Sequence, residues 1–117
     1  MEKEVLKEDR RKNLTIRKMD KELKKFITDV RKTFSDAKIM LFGSRAKGTN
    51  RIDSDYDLII ISKLFEKIPI VERPYNVWMT SKANLAADIL CYSPAEVKKV
   101  AKNSTVLRDA MTYAVTL

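Results

Sequence analysis

Apolar residues recur every three or four positions early in the chain and predict an amphipathic helix over about residues 14–34. Six residues form this stripe: Met19, Leu23, Phe26, Ile27, Val30 and Phe34. Upstream, residues 1–13 offer only Val5 and Leu6 to a core. Because residues 1–34 carry 12 lysines and arginines against 7 acidic residues, we expect this region to form a basic, helical arm.

Short apolar runs farther along the chain predict strands. The first run is Lys38–Phe42 and the third is Leu85–Tyr92. Between them, Asp57–Ser62 is apolar at successive positions, which is typical of a central strand that is covered on both faces. The apolar end of the chain, Thr112–Leu117, predicts a last strand at an edge of the sheet.

Proline-containing segments predict the remaining helices. Pro74 leads into a helix over about Tyr75–Ser81. The segment Ser93–Glu96 combines a serine N-cap, a proline at the first helical position and a glutamate three residues after the cap. We expect that helix to continue to about Ala101 and another to cover about Thr105–Met111.

Length and composition limit the class of protein. At 117 residues the chain fits one domain, and no apolar run approaches the roughly 20 residues that span a bilayer. The start does not resemble a secretory signal, so we expect a cytoplasmic location and no membrane partner. Cys91 is the lone cysteine and histidine is absent, which excludes an intrachain disulfide and disfavours a structural zinc site. The net charge of +8 favours polyanionic or acidic partners and leaves nucleic acid open as a partner.

Two carboxylates stand where the second predicted strand begins. Asp55 and Asp57 are two residues apart, so on a strand they project to the same side. Adjacent carboxylates repel each other unless a cation lies between them, and hard oxygen ligands of this kind suit Mg²⁺. An isolated Asp-x-Asp is more often a pair of solvated carboxylates, so the metal interpretation needs support from other residues.

A glycine-serine turn supplies the first support. Gly43 and Ser44 follow the first predicted strand and precede a short helical segment, a setting in which backbone N–H groups can face an anion. Arg45 and Lys47 add nearby cations. The segment lacks the Gly-Lys-Ser/Thr ending of a Walker A loop and the three spaced glycines of a dinucleotide fingerprint.

A third acid supplies further support. Asp88 lies in the otherwise apolar third strand, and a charge in such a run is costly unless it is paired or bound to a metal. Beside the second strand, Asp88 would complete a triad with Asp55 and Asp57. The alternative is an acid at a strand end that reaches water.

The joint pattern resembles the minimal nucleotidyltransferases of the DNA polymerase β-like superfamily. Gly-Ser, ten intervening residues, Asp-x-Asp and a later lone Asp in an apolar strand carry this resemblance, over about residues 38–92. It implies an α+β fold, with a mixed sheet of three to four strands flanked by helices. It also implies that Gly43 and Ser44 bind nucleotide phosphates, and that Asp55 and Asp57 bridge two Mg²⁺ ions. Asp88 would bind one of these ions and help activate the attacking hydroxyl.

The resemblance extends to function and partners. Arg45 and Lys47 occupy basic positions that often follow the family's Gly-Ser. Small members of this kind often accompany a HEPN-domain toxin as its antitoxin. That likeness implies an adenylyltransferase that moves AMP from ATP, or from another nucleoside triphosphate, to a tyrosine of the toxin. A chain this short is expected to supply half of a cleft, so the other half would come from the HEPN partner or from a second copy. The alternatives are transfer to a small molecule or an RNA end, and a non-catalytic module that binds nucleotide or a partner.

Overall fold

The structure is a computed structural model that describes residues 20–51 and 55–117. The predicted basic arm is therefore described only from Asp20 onward. The expected helical residues 14–19, and residues 1–13 before them, lie outside the described residues, as do residues 52–54.

A four-stranded mixed sheet forms the centre of the fold, which confirms the predicted α+β class. Its strands are β1 (Lys38–Phe42), β2 (Tyr56–Ile61), β3 (Ala87–Tyr92) and β4 (Val115–Thr116), in the order β3-β2-β1-β4. Strand β2 runs parallel to β3, whereas β1 is antiparallel to both β2 and β4. The second predicted strand is therefore central, and the last one lies at an edge, as expected.

Five α-helices flank the sheet in the described part of the chain. They are α1 (Lys21–Thr33), α2 (Gly43–Lys47), α3 (Arg73–Trp78), α4 (Pro94–Asn103) and α5 (Thr105–Tyr113). Two 3₁₀ turns, Lys63–Lys67 and Ile70–Glu72, connect β2 to α3. None of the helices in residues 20–51 and 55–117 is long and apolar enough to cross a membrane.

Helix α1 covers the first face of the sheet. Asp20 caps it by accepting a hydrogen bond from the backbone N–H of Glu22 at 2.7 Å, which satisfies one of the free N–H groups of the first turn. Its apolar stripe is buried in a core with the side chains of Ile39, Leu41, Leu58, Ile60, Ile89 and Cys91. The predicted stripe of the N-terminal helix is thus confirmed from Leu23 onward.

The second face of the sheet is covered only in part. Met40, Ile59 and Leu107 form a smaller core there, against which Val100 and Met111 pack, so α4 and α5 lie on this face. The Ser93 side chain accepts from the backbone of Glu96 while the Glu96 carboxylate accepts from the backbone of Ser93, which confirms the predicted capping box at the start of α4.

Several predicted boundaries were wrong. Helix α3 begins two residues earlier than predicted and ends at Trp78. Strand β3 begins at Ala87 instead of Leu85. Helix α5 continues to Tyr113, which shortens the last strand to Val115–Thr116. The 3₁₀ turn at 63–67 was not predicted, because its cap Ser62 is held by a hydrogen bond of 2.6 Å to distant Asp36.

Candidate active site

Asp57 and Asp88 lie side by side on the second face of the sheet. They are partners in the register of the parallel strands β2 and β3, and paired residues on neighbouring strands project to the same face. The residues on either side of Asp57, Tyr56 and Leu58, belong to the core of the first face, so Asp57 points the other way. Asp57 is half-buried and Asp88 is exposed, because α4 and α5 cover the other end of this face.

Two of the predicted acids act electrostatically on the third, Asp57. Burial raises the pKa of Asp57 above its ordinary value, and the charges of Asp88 and Asp55 raise this pKa further. Asp55 is exposed and directly precedes β2. The negative charge around Asp57 would be relieved by a cation bound among the three carboxylates.

Gly43 lies against the carboxylate of Asp57. Phe42, the last residue of β1, is the register partner of Asp57, and the chain turns into α2 at Gly43 with φ +71°. A Cβ atom added to Gly43 would overlap Oδ2 of Asp57 and lie 3.0 Å from its Cγ. The turn and the acid therefore come together as the sequence predicted, at a closeness that the sequence did not indicate.

The other residues of the glycine-serine turn differ in where they lie. Ser44 is half-buried in the first turn of α2. The Lys47 ammonium lies 4.4 Å from the ring centroid of Tyr113, a residue of α5 whose side chain packs against the first-face core. The Arg45 guanidinium lies 4.1 Å from the ring centroid of Tyr56, whose side chain is buried with the first-face core. Arg45 is thus placed against the side chain that points away from Asp57.

The donor set fits a hard divalent cation. Within residues 20–51 and 55–117, no three acidic, cysteine or histidine side chains are grouped closely enough to hold a metal ion on their own. Mg²⁺ does not need such a cage, because it usually binds one or two carboxylates and completes its shell with water and substrate phosphates. The register pair Asp57 and Asp88, with Asp55 close enough to raise the same pKa, meets that requirement.

Sequence reasoning missed two features of this site. The contact of Lys47 with Tyr113 joins residues far apart in the chain, and no local pattern indicates it. The overlap between Asp57 and a side chain at Gly43 depends on strand register, although a glycine directly after a strand is a signal for close backbone approach. Cys91 is a buried thiol whose pKa burial raises to about 12, so it is a core residue without nucleophilic character.

Comparison with known proteins gives a family. The profile of the family described as "Nucleotidyltransferase domain" matches residues 23–114, a range that contains the glycine-serine turn and all three acids. A crystal structure from Sulfolobus solfataricus, provisionally described as a nucleotidyltransferase, is similar with a TM-score of 0.57 and 23% identity, covering 76% of this chain and 79% of that chain. At that identity the likeness shows the fold. The comparison with curated proteins yields no match.

Proposed function

The chain belongs to the nucleotidyltransferase domain family, and we propose that it moves AMP from ATP to an acceptor hydroxyl. The observation that carries this proposal is the register pair of Asp57 and Asp88, set against the Gly43 turn on the uncovered part of the sheet. A pair of carboxylates beside a glycine turn is an arrangement that suits metal-assisted nucleotidyl transfer.

We assign the roles as follows from the family likeness. Asp55, Asp57 and Asp88 would hold two Mg²⁺ ions, and Gly43 and Ser44 would bind the β- and γ-phosphates. When bound, Mg²⁺ neutralises charge on the triphosphate and lowers the pKa of a coordinated hydroxyl.

The two cations after the turn take different parts in the proposal. Lys47 is an exposed cation at the end of α2, where it can pair with phosphate oxygens. Arg45, stacked on Tyr56, supports the turn from the first face of the sheet.

The reaction is an in-line displacement at the α-phosphorus. The acceptor oxygen forms a bond to that phosphorus while the bond to the bridging oxygen of the β-phosphate breaks, and pyrophosphate leaves. Asp88 is the exposed member of the register pair, so it is the acid that an incoming hydroxyl reaches first. We therefore propose that Asp88 helps to take up the proton of this hydroxyl.

The acceptor we propose is a tyrosine of a HEPN-domain toxin, which makes the chain an antitoxin. The resemblance of the motif supports this role. The exposure of Asp88 on the edge strand β3 is also compatible with an acceptor carried by another protein. A second copy of the chain is the other source of the missing half of the cleft.

An RNA end is a second candidate acceptor, favoured by the exposed side of α1. This side carries Lys21, Lys24, Lys25, Arg31 and Lys32, all of them exposed. The acids of the same helix are turned to the protein, since Glu22 accepts from the N–H of Asn84 and Asp29 accepts from the hydroxyl of Ser81. Such a stripe of cations attracts phosphates.

Three parallel incubations of the protein with α-labelled ATP and Mg²⁺ identify the acceptor as the molecule that becomes labelled. One contains a HEPN-domain protein, one contains total RNA, and one contains small hydroxyl compounds such as aminoglycosides. We expect label on a tyrosine of the HEPN protein. Label on RNA or on a small molecule would replace that acceptor, and bound ATP without any transfer would contradict catalysis.

A further inference from the structure

We propose that Gly43 is a positioning residue for the carboxylate of Asp57. Its missing side chain leaves the space that this carboxylate occupies, and the turn then holds the carboxylate next to Asp88. The proposal extends the function proposed above, because it assigns to the glycine a task toward a metal-binding acid in addition to phosphate binding.

The contact is specific to one side chain. The three atoms closest to a Cβ built on Gly43 are Oδ2, Cγ and Cβ of Asp57, the last two at 3.0 and 3.2 Å. Real Cβ atoms do not approach other heavy atoms as closely as the built Cβ approaches Oδ2. A side chain at position 43 would therefore force the Asp57 carboxylate to move.

The direction of that movement is constrained by charge. The carboxylates of Asp57 and its register partner Asp88 carry the same charge, so they repel each other. Asp57 contacts the uncharged backbone of Gly43 on one side, and Asp88 lies on the neighbouring strand on the other side. Displacement from Gly43 would change the spacing of the carboxylates on which a shared cation depends.

Gly48 provides a matched control at the other end of α2. It has φ +77°, close to the +71° of Gly43, but a Cβ added there would meet nothing within 4 Å. Alanine at either position adopts the same unfavourable left-handed backbone. Only alanine at position 43 also meets Asp57, so the difference between the two variants isolates that contact.

A double-mutant cycle tests the contact without any measurement of activity. Urea unfolding is followed for Gly43→Ala, Gly48→Ala, Asp57→Ala and the double variant Gly43→Ala/Asp57→Ala. We expect Gly43→Ala to lower the urea midpoint about twice as much as Gly48→Ala. In the Asp57→Ala background, the effect of Gly43→Ala should shrink toward that of Gly48→Ala, because Asp57→Ala removes Oδ2 and Cγ and leaves only the Cβ contact at 3.2 Å. If Gly43→Ala lowered the urea midpoint equally in the wild-type and Asp57→Ala backgrounds, the contact would be contradicted. A double variant that fails to fold would contradict it as well. A double variant that is more stable than Gly43→Ala alone supports the contact.

Mn²⁺ binding tests the positioning role, with Mn²⁺ alone as the probe in electron paramagnetic resonance titrations. We expect Gly43→Ala to weaken Mn²⁺ binding about tenfold and Gly48→Ala to leave it unchanged. Binding that is absent in the wild type, or equal in the two variants, would overturn the positioning role. A failure of the proposed function is distinguishable, because the wild type would then transfer no label from α-labelled ATP, whatever the cycle and the Mn²⁺ titration give.

Discussion

The two faces of the sheet use the same strands for different purposes. On β2, Leu58 and Ile60 face α1 and are fully buried. The residues of β2 that alternate with them face α4 and α5 at one end of the strand and Asp88 at the other. The first face supplies apolar burial, which is the main stabilising term in folding. The second face buries less apolar surface, and the half-buried Asp57 on that face can contact a ligand.

Because the second face is only partly covered, the position of Asp57 depends on its neighbours. A charge among fully buried strand residues is unfavourable, and the adjacent acids add to the effect. The continuous core beneath the strand supplies the stability that allows this arrangement. Substitutions that change one face at a time separate the two contributions.

The largest effect on stability is expected on the first face. Phe26 is fully buried in α1, with its ring centroid 5.1 Å from that of Trp78. Phe26→Ala should lower the free energy of unfolding by about 3–5 kcal/mol. Leu90 on the second face is 40% exposed, so Leu90→Ala should lower it by less than about 1 kcal/mol. Urea denaturation of both variants measures the contrast, and similar losses would contradict it.

The buried Arg73 and its hydrogen-bond partners should have the next largest effect on stability. Arg73 is 4% exposed and pairs with Glu96 at 2.8 Å, and it also donates to the backbone carbonyls of Ile68 and Cys91. Arg73→Met leaves these acceptors without their partner, and we expect a loss of about 3 kcal/mol in the free energy of unfolding. Lys63→Met, at an exposed position, is the control. If Arg73→Met lowered the free energy of unfolding no more than Lys63→Met does, the contacts of Arg73 would not contribute to stability.

Lys47 tests whether the exposed cation at the end of α2 contributes to substrate binding. Lys47→Ala should raise the KM for ATP about tenfold, in line with the loss of one charge-assisted hydrogen bond, and leave the urea midpoint nearly unchanged. Lys99→Ala changes an exposed lysine of α4 and should leave the KM unchanged. If both variants raise the KM equally, the effect belongs to the net charge of the protein.

The smallest expected effects are pH-dependent changes in stability, and they have opposite signs for substitutions of Glu96 and Asp57. The hydrogen bonds from Arg73 and from the Ser93 backbone lower the pKa of Glu96, so Glu96→Gln should destabilise the protein at neutral pH. That difference from wild type should fade as pH falls from the ordinary glutamate pKa through the lowered one.

Asp57 has a raised pKa in the folded protein, so Asp57→Asn should stabilise the metal-free protein at neutral pH. Its advantage should fade as pH falls through the raised pKa toward the ordinary aspartate value. Thermal unfolding between acidic and neutral pH, in the presence of a chelator, checks both signs. An Asp57→Asn variant less stable than wild type at neutral pH would contradict the raised pKa of Asp57 and with it the cost of burying this charge beside two other acids.

The fold was largely predictable because its signals are local and periodic. The apolar stripe of α1, the run Lys38–Phe42 and the capping box at Ser93 each depend on nearby residues, and the structure confirms them. The buried Arg73 was not predictable, because its partners lie on three other parts of the chain. The same holds for the 3₁₀ turn after Ser62.

In the candidate site, the position of Asp88 was predictable from the sequence, and the contacts of the glycine-serine turn were not. The sequence indicated that Asp88 would lie beside the second strand, and the register pair with Asp57 bears this out. The contacts of Gly43 with Asp57 and of Arg45 with Tyr56 depend on strand pairing. They could not be predicted from the spacing of residues along the chain. The catalytic roles of these residues stay predictions.

The central claim is tested most directly by nucleotidyl transfer from α-labelled ATP in Asp57→Asn, beside Asp109→Asn as the matched control. Asp109 is an exposed acid of α5. We predict that Asp57→Asn lowers transfer by about a hundredfold to a thousandfold in a protein that remains folded, and that Asp109→Asn keeps wild-type transfer. Near-wild-type transfer by Asp57→Asn would contradict the account.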